Sequence, residues 1–190
     1  MKNLIQKPLI SIGIVSYNQE STIIECVESI LQQETKYPYE IVISDDCSTD
    51  NTQEVIKELQ KKYITKIKVL ISNKNEGIGK NYKKLFHALS GKYIMICEGD
   101  DYWINPLKIE HQINYMENHS EFGFISGRVL NGYGDYFKEC PCFTNWDGPN
   151  FKRVIAFPDF PLSIDLYDDV FKYAIGGPIT HTSAICFKNH

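Results

Sequence analysis

The 190-residue chain has no apolar run approaching the roughly 20 residues that cross a bilayer as a helix. Its opening residues, Met1-Lys2-Asn3-Leu4-Ile5-Gln6-Lys7-Pro8, lack the apolar stretch of a signal peptide. It has no excess of positive charge: 20 Lys and Arg against 24 Asp and Glu leave a net −4, which argues against electrostatic nucleic-acid binding. Among six cysteines only Cys140-Pro141-Cys142 form a close pair, and no second pair or nearby His completes a zinc site. No basic, glycine-rich loop follows the first apolar run, where a nucleotidyltransferase would hold a triphosphate. Gly77-Ile78-Gly79-Lys80-Asn81-Tyr82 lacks the third glycine of a dinucleotide fingerprint. Repeats, low-complexity tracts and interdomain linkers are also missing. The expectation is a cytoplasmic protein in a reducing compartment, with peripheral association at the inner membrane face left open.

What is there reads as a single α/β domain with an ordinary core, 43% apolar and 23% charged. Apolar runs at residues 9–15, 40–44, 67–71 and 92–97 predict strands covered on both faces. Between them Ile23, Ile24, Val27, Ile30 and Leu31, then Val55, Ile56 and Leu59, then Tyr82, Leu85, Phe86 and Leu89 recur at helical spacing. Gly91 is expected to end the third helix as its C′ residue. Pro106 is expected in the first turn of a fourth helix carrying Ile109, Ile113 and Met116. A fifth strand is predicted at 122–126. This alternation implies right-handed crossovers and a mostly parallel sheet. Residues 1–130 are expected to form one α/β subdomain and 131–190 a second, incomplete segment. In the latter, 131–163 are aromatic-rich without periodicity, a short helix is expected near 165–173, and a last strand at 183–187 reads as internal, as in a truncated chain.

Two acidic pairs carry the functional signal. Asp45-Asp46 and Asp100-Asp101 each follow an apolar strand, and the carboxyl ends of strands are where open α/β sheets bind ligands. An Asp in that place also serves as a helix cap or turn former, a reading that stays open for Asp46. Two such pairs on neighbouring strands point to a site for a cation and a phosphorylated ligand.

Val15-Ser16-Tyr17-Asn18, Asp45-Asp46-Cys47-Ser48-Thr49-Asp50, Asn75-Glu76-Gly77 and Glu98-Gly99-Asp100-Asp101-Tyr102-Trp103 occur in that order. Together they resemble the motifs of family-2 inverting glycosyltransferases over about residues 8–126, with a looser echo at His181-Thr182-Ser183. The resemblance implies a Rossmann-like, A-type glycosyltransferase fold: a mixed, mostly parallel sheet flanked by helices that binds a nucleotide-sugar. It implies a nucleotide-sugar-binding role for residues 1–130, an acceptor-side role for 131–190, and transfer of a sugar, with inversion, from a UDP-linked donor to a glycan or lipid-linked acceptor in polysaccharide biosynthesis. Ser16, Tyr17, Asn18 and Glu20 would line the base and ribose pocket, Tyr17 by a ring face and Glu20 as a hydroxyl acceptor. Asp46 would accept from uracil N3–H, with Asp45 supporting its loop. Asp101 would hold Mn²⁺ or Mg²⁺, with His181 as a further ligand or acceptor contact, and Asp100 would face the ribose or sugar. A hard cation held by carboxylate suits a departing diphosphate.

Two departures stand out. Where many family members carry Arg-Asn, this chain has Lys80-Asn81-Tyr82-Lys83-Lys84, so Lys80 or Lys83 would act as a point charge on phosphate. The general base of such enzymes is expected beyond His190, and Asp159, Asp165, Asp168 and Asp169 carry no motif that singles one out. Tyr17 and Trp103 each remain open between ligand contact and packing. The competing functions are a non-catalytic nucleotide-sugar binding module and a Mg²⁺-dependent phosphoacceptor signalling domain. Oligomeric state is not legible.

Overall fold

In a computed structural model, residues 8–120, 123–126, 130–133, 136–139 and 185–189 are described. The strands are β1 (Ile10–Ser16), β2 (Tyr39–Asp45), β3 (Ile67–Ile71), β4 (Tyr93–Glu98), β5 (Phe124–Ser126), β6 (Leu130–Tyr133), β7 (Tyr136–Glu139) and β8 (Ile185–Lys188). The helices are α1 (Ile23–Leu31), α2 (Thr52–Lys62), α3 (Ile78–Ala88) and α4 (Lys108–Asn118). Six strands form one sheet in the order β3-β2-β1-β4-β8-β5, and β6 and β7 form a separate hairpin. β1 runs parallel to both β2 and β4, and β2 to β3, whereas β8 is antiparallel to β4 and β5. The sheet is thus mixed and mostly parallel, as the sequence predicts.

Alternation along the strands explains the layering. Ile10, Ile12, Ile14, Ile41, Ile43, Met95 and Cys97 pack with α1, α2 and α4. Val15, Val42, Ile94 and Ile96 pack with Tyr82 and Leu85 of α3 on the other face. A Cβ at Gly13 would meet Leu85 Cδ2 at 2.9 Å, so the glycine lets α3 lie close on the middle strand.

Several expectations need correction. Ile24 is 45% exposed and Cys26 takes its place in the core, because the buried stripe of α1 runs through 23, 26, 27 and 30. Gly91 is not a left-handed C′ residue: α3 ends at Ala88, and the left-handed glycine of the described residues is Gly77. A Cβ at Gly91 would come within 2.5 Å of the Ser11 backbone nitrogen, so close approach to β1 is what requires glycine there. Pro106 precedes α4 by two residues and its carbonyl accepts the Glu34 N–H at 2.8 Å. Part of the stretch expected to be irregular is the β6–β7 hairpin. The helix expected near 165–173 lies outside the described residues.

Glu40 anchors the far end of the sheet. It accepts hydrogen bonds from the hydroxyls of Ser11 at 2.7 Å and Ser90 at 3.0 Å, and pairs with the Lys68 ammonium at 2.6 Å. Burial raises its pKa, but the Lys68, Ser11 and Ser90 contacts outweigh this and leave it below the ordinary value.

Candidate functional site

The register of the sheet brings three motif-bearing strand ends together. Ser16 lies opposite Asp45, and Val15 opposite Glu98, so the loops after β1, β2 and β4 leave from one edge. The Asp46 N–H donates to Ser16 O and the Gly99 N–H to Val15 O, each at 3.0 Å, which extends the pairing past the strands.

The first two loops are zipped to each other. Asn18 N–H donates to Ser48 Oγ at 2.9 Å, and its Oδ1 accepts from Thr49 N–H at 2.8 Å. Glu20 N–H donates to Asp50 Oδ2 at 3.2 Å, and Glu20 Oε2 accepts from Asn51 N–H at 2.8 Å. Asn18 and Cys47 both have positive φ, 53° and 62°, a conformation that turns each loop sharply after its strand. Asp50 also accepts the Thr52 N–H at 3.0 Å, which secures the start of α2. Burial works against its ionisation, but hydrogen bonds from the Thr52 hydroxyl and N–H and from Glu20 N–H hold its carboxyl below the ordinary range. Ser16 is buried, whereas Tyr17 is 44% exposed; its ring is therefore not a packing residue.

Asp45 and Asp46 are both buried, and they do different work. Asp45 accepts from the Ser48 N–H at 2.9 Å and from the Ser48 hydroxyl, closing its own loop. Asp46 reaches across to the loop before α3, accepting the N–H groups of Glu76 at 3.0 Å and Gly77 at 2.8 Å. Asp46 therefore does not cap α2; its bonded oxygens hold the Asn75-Glu76-Gly77 motif.

The basic group at this corner is one the sequence reading passed over. Lys80 sits 69% exposed with its ammonium 3.8 Å from Glu76. Lys84, one turn further along α3, donates to Asp45 O at 3.0 Å and to Ser72 Oγ at 2.5 Å. Burial lowers its pKa, partly opposed by the negative charges of Asp46, Asp45 and Glu76. Next to it on the same helix, buried Asn81 donates to Ser44 O at 2.9 Å and accepts from Ser44 Oγ at 2.6 Å, fixing α3 to the end of β2.

The turn after β4 presents Asp100 exposed and Asp101 half-buried. Asp101 N–H donates to Glu98 O at 2.9 Å, and Glu98 Oε1 accepts from the buried Tyr82 hydroxyl at 2.7 Å. Beneath the turn the Cys26 and Cys97 sulfurs lie 3.7 Å apart, and burial pushes the Cys97 thiol well above its usual range. Soft thiolate donors are therefore withheld, and the carboxylates of exposed Asp100 and half-buried Asp101 are the ones at this turn. That donor set fits a hard divalent cation, which takes one or two carboxylates and fills its shell with water and ligand phosphate. No group of three metal-ligating side chains is gathered among the described residues. Trp103 is core: it is 7% exposed, its backbone N–H donates to Ser29 Oγ at 3.0 Å, and the Lys108 ammonium lies 4.9 Å from its ring centre. His181 and Asp159, Asp165, Asp168 and Asp169 lie outside the described residues.

No helix of the described residues is long and apolar enough to cross a membrane. The chain is 39% identical over 190 aligned residues to the Mycobacterium tuberculosis protein Rv1520, covering 89% of this chain and 55% of that one. It is 38% identical over 131 residues to the Escherichia coli UDP-Glc:alpha-D-GlcNAc-diphosphoundecaprenol beta-1,3-glucosyltransferase WfaP, covering 69% and 47%. The chain thus spans about half the length of the curated relatives it matches. Its fold resembles that of the Pyrobaculum calidifontis mannosyltransferase PcManGT, solved with GDP-Man and Mn²⁺, with a TM-score of 0.64 at 16% identity over 96% of this chain and 45% of that one. Residues 11–159 match the pattern of Glycosyl transferase family 2, and the chain belongs to that family.

Proposed function

We propose that the chain binds a UDP-linked sugar at the shared edge of β1, β2 and β4 and transfers the sugar, with inversion, to a glycan or lipid-linked acceptor. The observation that carries this reading is the convergence of three strand ends: two hydrogen-bonded loops on one side and the Asp100-Asp101 turn on the other. The uridine specificity is supported by the name of the E. coli relative, which takes UDP-glucose and a diphosphoundecaprenol-linked acceptor.

In this reading exposed Tyr17 offers a ring face to the base, while Ser16, Asn18 and Glu20 line the ribose pocket. Asp46, with Asp45 behind it, places an acceptor toward uracil N3–H while it holds the 75–77 loop. Lys80 supplies a point charge toward phosphate, and Asp100 faces the ribose or sugar. Asp101 would hold Mn²⁺ or Mg²⁺, with His181 a further ligand. When bound, the cation neutralises charge that builds on the leaving diphosphate. The chain's own part is to bind the nucleotide rigidly and orient the anomeric carbon. A single displacement by a base-activated acceptor hydroxyl then inverts the configuration.

Calorimetric titration of UDP, GDP, ADP and CDP, each with and without Mn²⁺, tests the proposal. UDP with Mn²⁺ is expected to bind tightest; equal binding of all four, or none, would reject it.

A further inference from the structure

At the end of β1 two buried polar atoms have no hydrogen-bond partner: Ser16 Oγ and Gln19 Oε1. Ser16 already belongs to the proposed pocket; Gln19 has no role there. Its backbone is fixed on both sides. Its N–H donates to Thr52 Oγ1 at 2.8 Å, and its carbonyl accepts from Thr22 N–H at 3.1 Å and Ile23 N–H at 3.0 Å. Its side chain lies against the acidic turn. A Cβ added to Gly99 would stand 2.2 Å from Gln19 Oε1, and 3.1 Å from both Val15 O and Ile23 Cδ1. Gly99 is the residue between Glu98 and the Asp100-Asp101 pair, and its lack of a side chain is what allows the Gln19 amide into that space.

An apolar side chain would fill such a space without burying an unpaired acceptor, so filling alone does not account for an amide. The placement does. Gln19 lies between the loop zipped to residues 48–51 and the turn that carries Asp100 and Asp101.

We propose that Gln19 is a positioning residue that sets the acidic turn relative to the base and ribose pocket, its side-chain oxygen receiving a hydrogen bond when the loaded turn settles. The inference rests on the donor-binding reading above. It assigns Gln19 to the diphosphate half of the ligand: the nucleoside pocket is held by its own loop-to-loop bonds, whereas the amide lies against the turn that carries Asp100 and Asp101.

The test is to titrate uridine and UDP, the latter with Mn²⁺, into the parent chain, Gln19→Met and Gln19→Ala, with melting temperatures recorded alongside. Met keeps the length of the side chain and removes the acceptor, so it separates the polar contact from packing. In Gln19→Met, UDP affinity is expected to fall about tenfold, the scale of one lost hydrogen bond, while uridine affinity and melting temperature stay close to the parent's. Unchanged UDP binding in Gln19→Met overturns the proposal, as does an equal loss for uridine and UDP. Gln19→Ala should lose at least as much UDP affinity as Gln19→Met; a smaller loss also counts against the amide. A parent chain that binds neither ligand overturns the donor reading itself, a result distinct from either of these.

Discussion

Asp46 and Gly77 are joined by a 2.8 Å hydrogen bond from the glycine N–H to the carboxylate, and Gly77 adopts φ 88°, ψ 158°. The carboxylate fixes a backbone conformation that is open to glycine and strained for any other residue. Space is not the constraint, since a Cβ at Gly77 would meet nothing within 4 Å. Gly77→Ala is therefore expected to destabilise the fold by about 1–3 kcal/mol through backbone strain alone. Urea unfolding measures this, and a variant as stable as the parent would mean that the loop relaxes freely.

Because Asp46 holds that loop, loss of UDP affinity in Asp46→Ala does not by itself identify a base-reading residue. Selectivity does. If Asp46 also accepts from uracil N3–H, the ratio of UDP to CDP affinity should collapse toward one in the variant, since cytosine lacks that donor. If it acts through the loop alone, both affinities should fall together and the ratio should persist. Competition binding with the two nucleotides decides between them.

Asp101→Asn is expected to abolish the gain in UDP affinity that Mn²⁺ provides, while metal-free binding changes little. The amide keeps the shape but loses the charge that a hard cation requires. A variant with an unchanged Mn²⁺ dependence would move the cation to other ligands.

Lys84→Met should weaken UDP binding more than Lys80→Met does. Lys84 ties Asp45 and Ser72 together, so its loss disturbs the loop after β2, whereas Lys80 is exposed, where a point charge toward phosphate is screened by water and has small net value. Parallel calorimetry on the two variants checks this ordering.

Glu40 predicts the acid limb of stability. Its folded pKa lies below the ordinary value, so its contribution is fully present above the unfolded pKa of about 4.3 and is lost as pH falls through the folded value. Glu40→Gln should be less stable than the parent at pH 7, and the gap should narrow as the pH drops below about 4. Thermal unfolding between neutral and acid pH would show a constant gap if the pair with Lys68 were irrelevant.

The strands and the motif-bearing ends of β1, β2 and β4 were legible because the apolar runs are short, β-branched and bounded by polar turns. Ile10–Ser16, Tyr39–Asp45 and Tyr93–Glu98 fall within a residue or so of the expected runs, and Ile67–Ile71 matches outright. The antiparallel insertion of β8 between β4 and β5 was not legible, since local periodicity carries no information about strand order. Within the site, the residues of ligand-binding type, Tyr17 and the Asp pairs, stood out. Those that act by bracing others did not. Lys84, Gln19 and the Tyr82–Glu98 pair use ordinary residue types at unremarkable spacings, and only the folded chain brings them to their partners. The role of Gly91 was not legible because a glycine after a helix fits a left-handed cap as readily as close packing on the backbone of a neighbouring strand.

The insertion of β8 also has a consequence for synthesis. Met95 pairs with Cys186, so the strand that carries the acidic turn waits about ninety positions for its second neighbour, which at 5–20 residues per second is several seconds or more on the ribosome. Through that interval β1, β2 and β3 can already pair, and β4 can dock on β1 with its other edge bare. An unpaired, largely apolar edge is the part of a nascent chain most open to pairing with the wrong strand. The proposed nucleotide pocket can therefore take shape early in translation, while resistance to misassembly arrives only with β8.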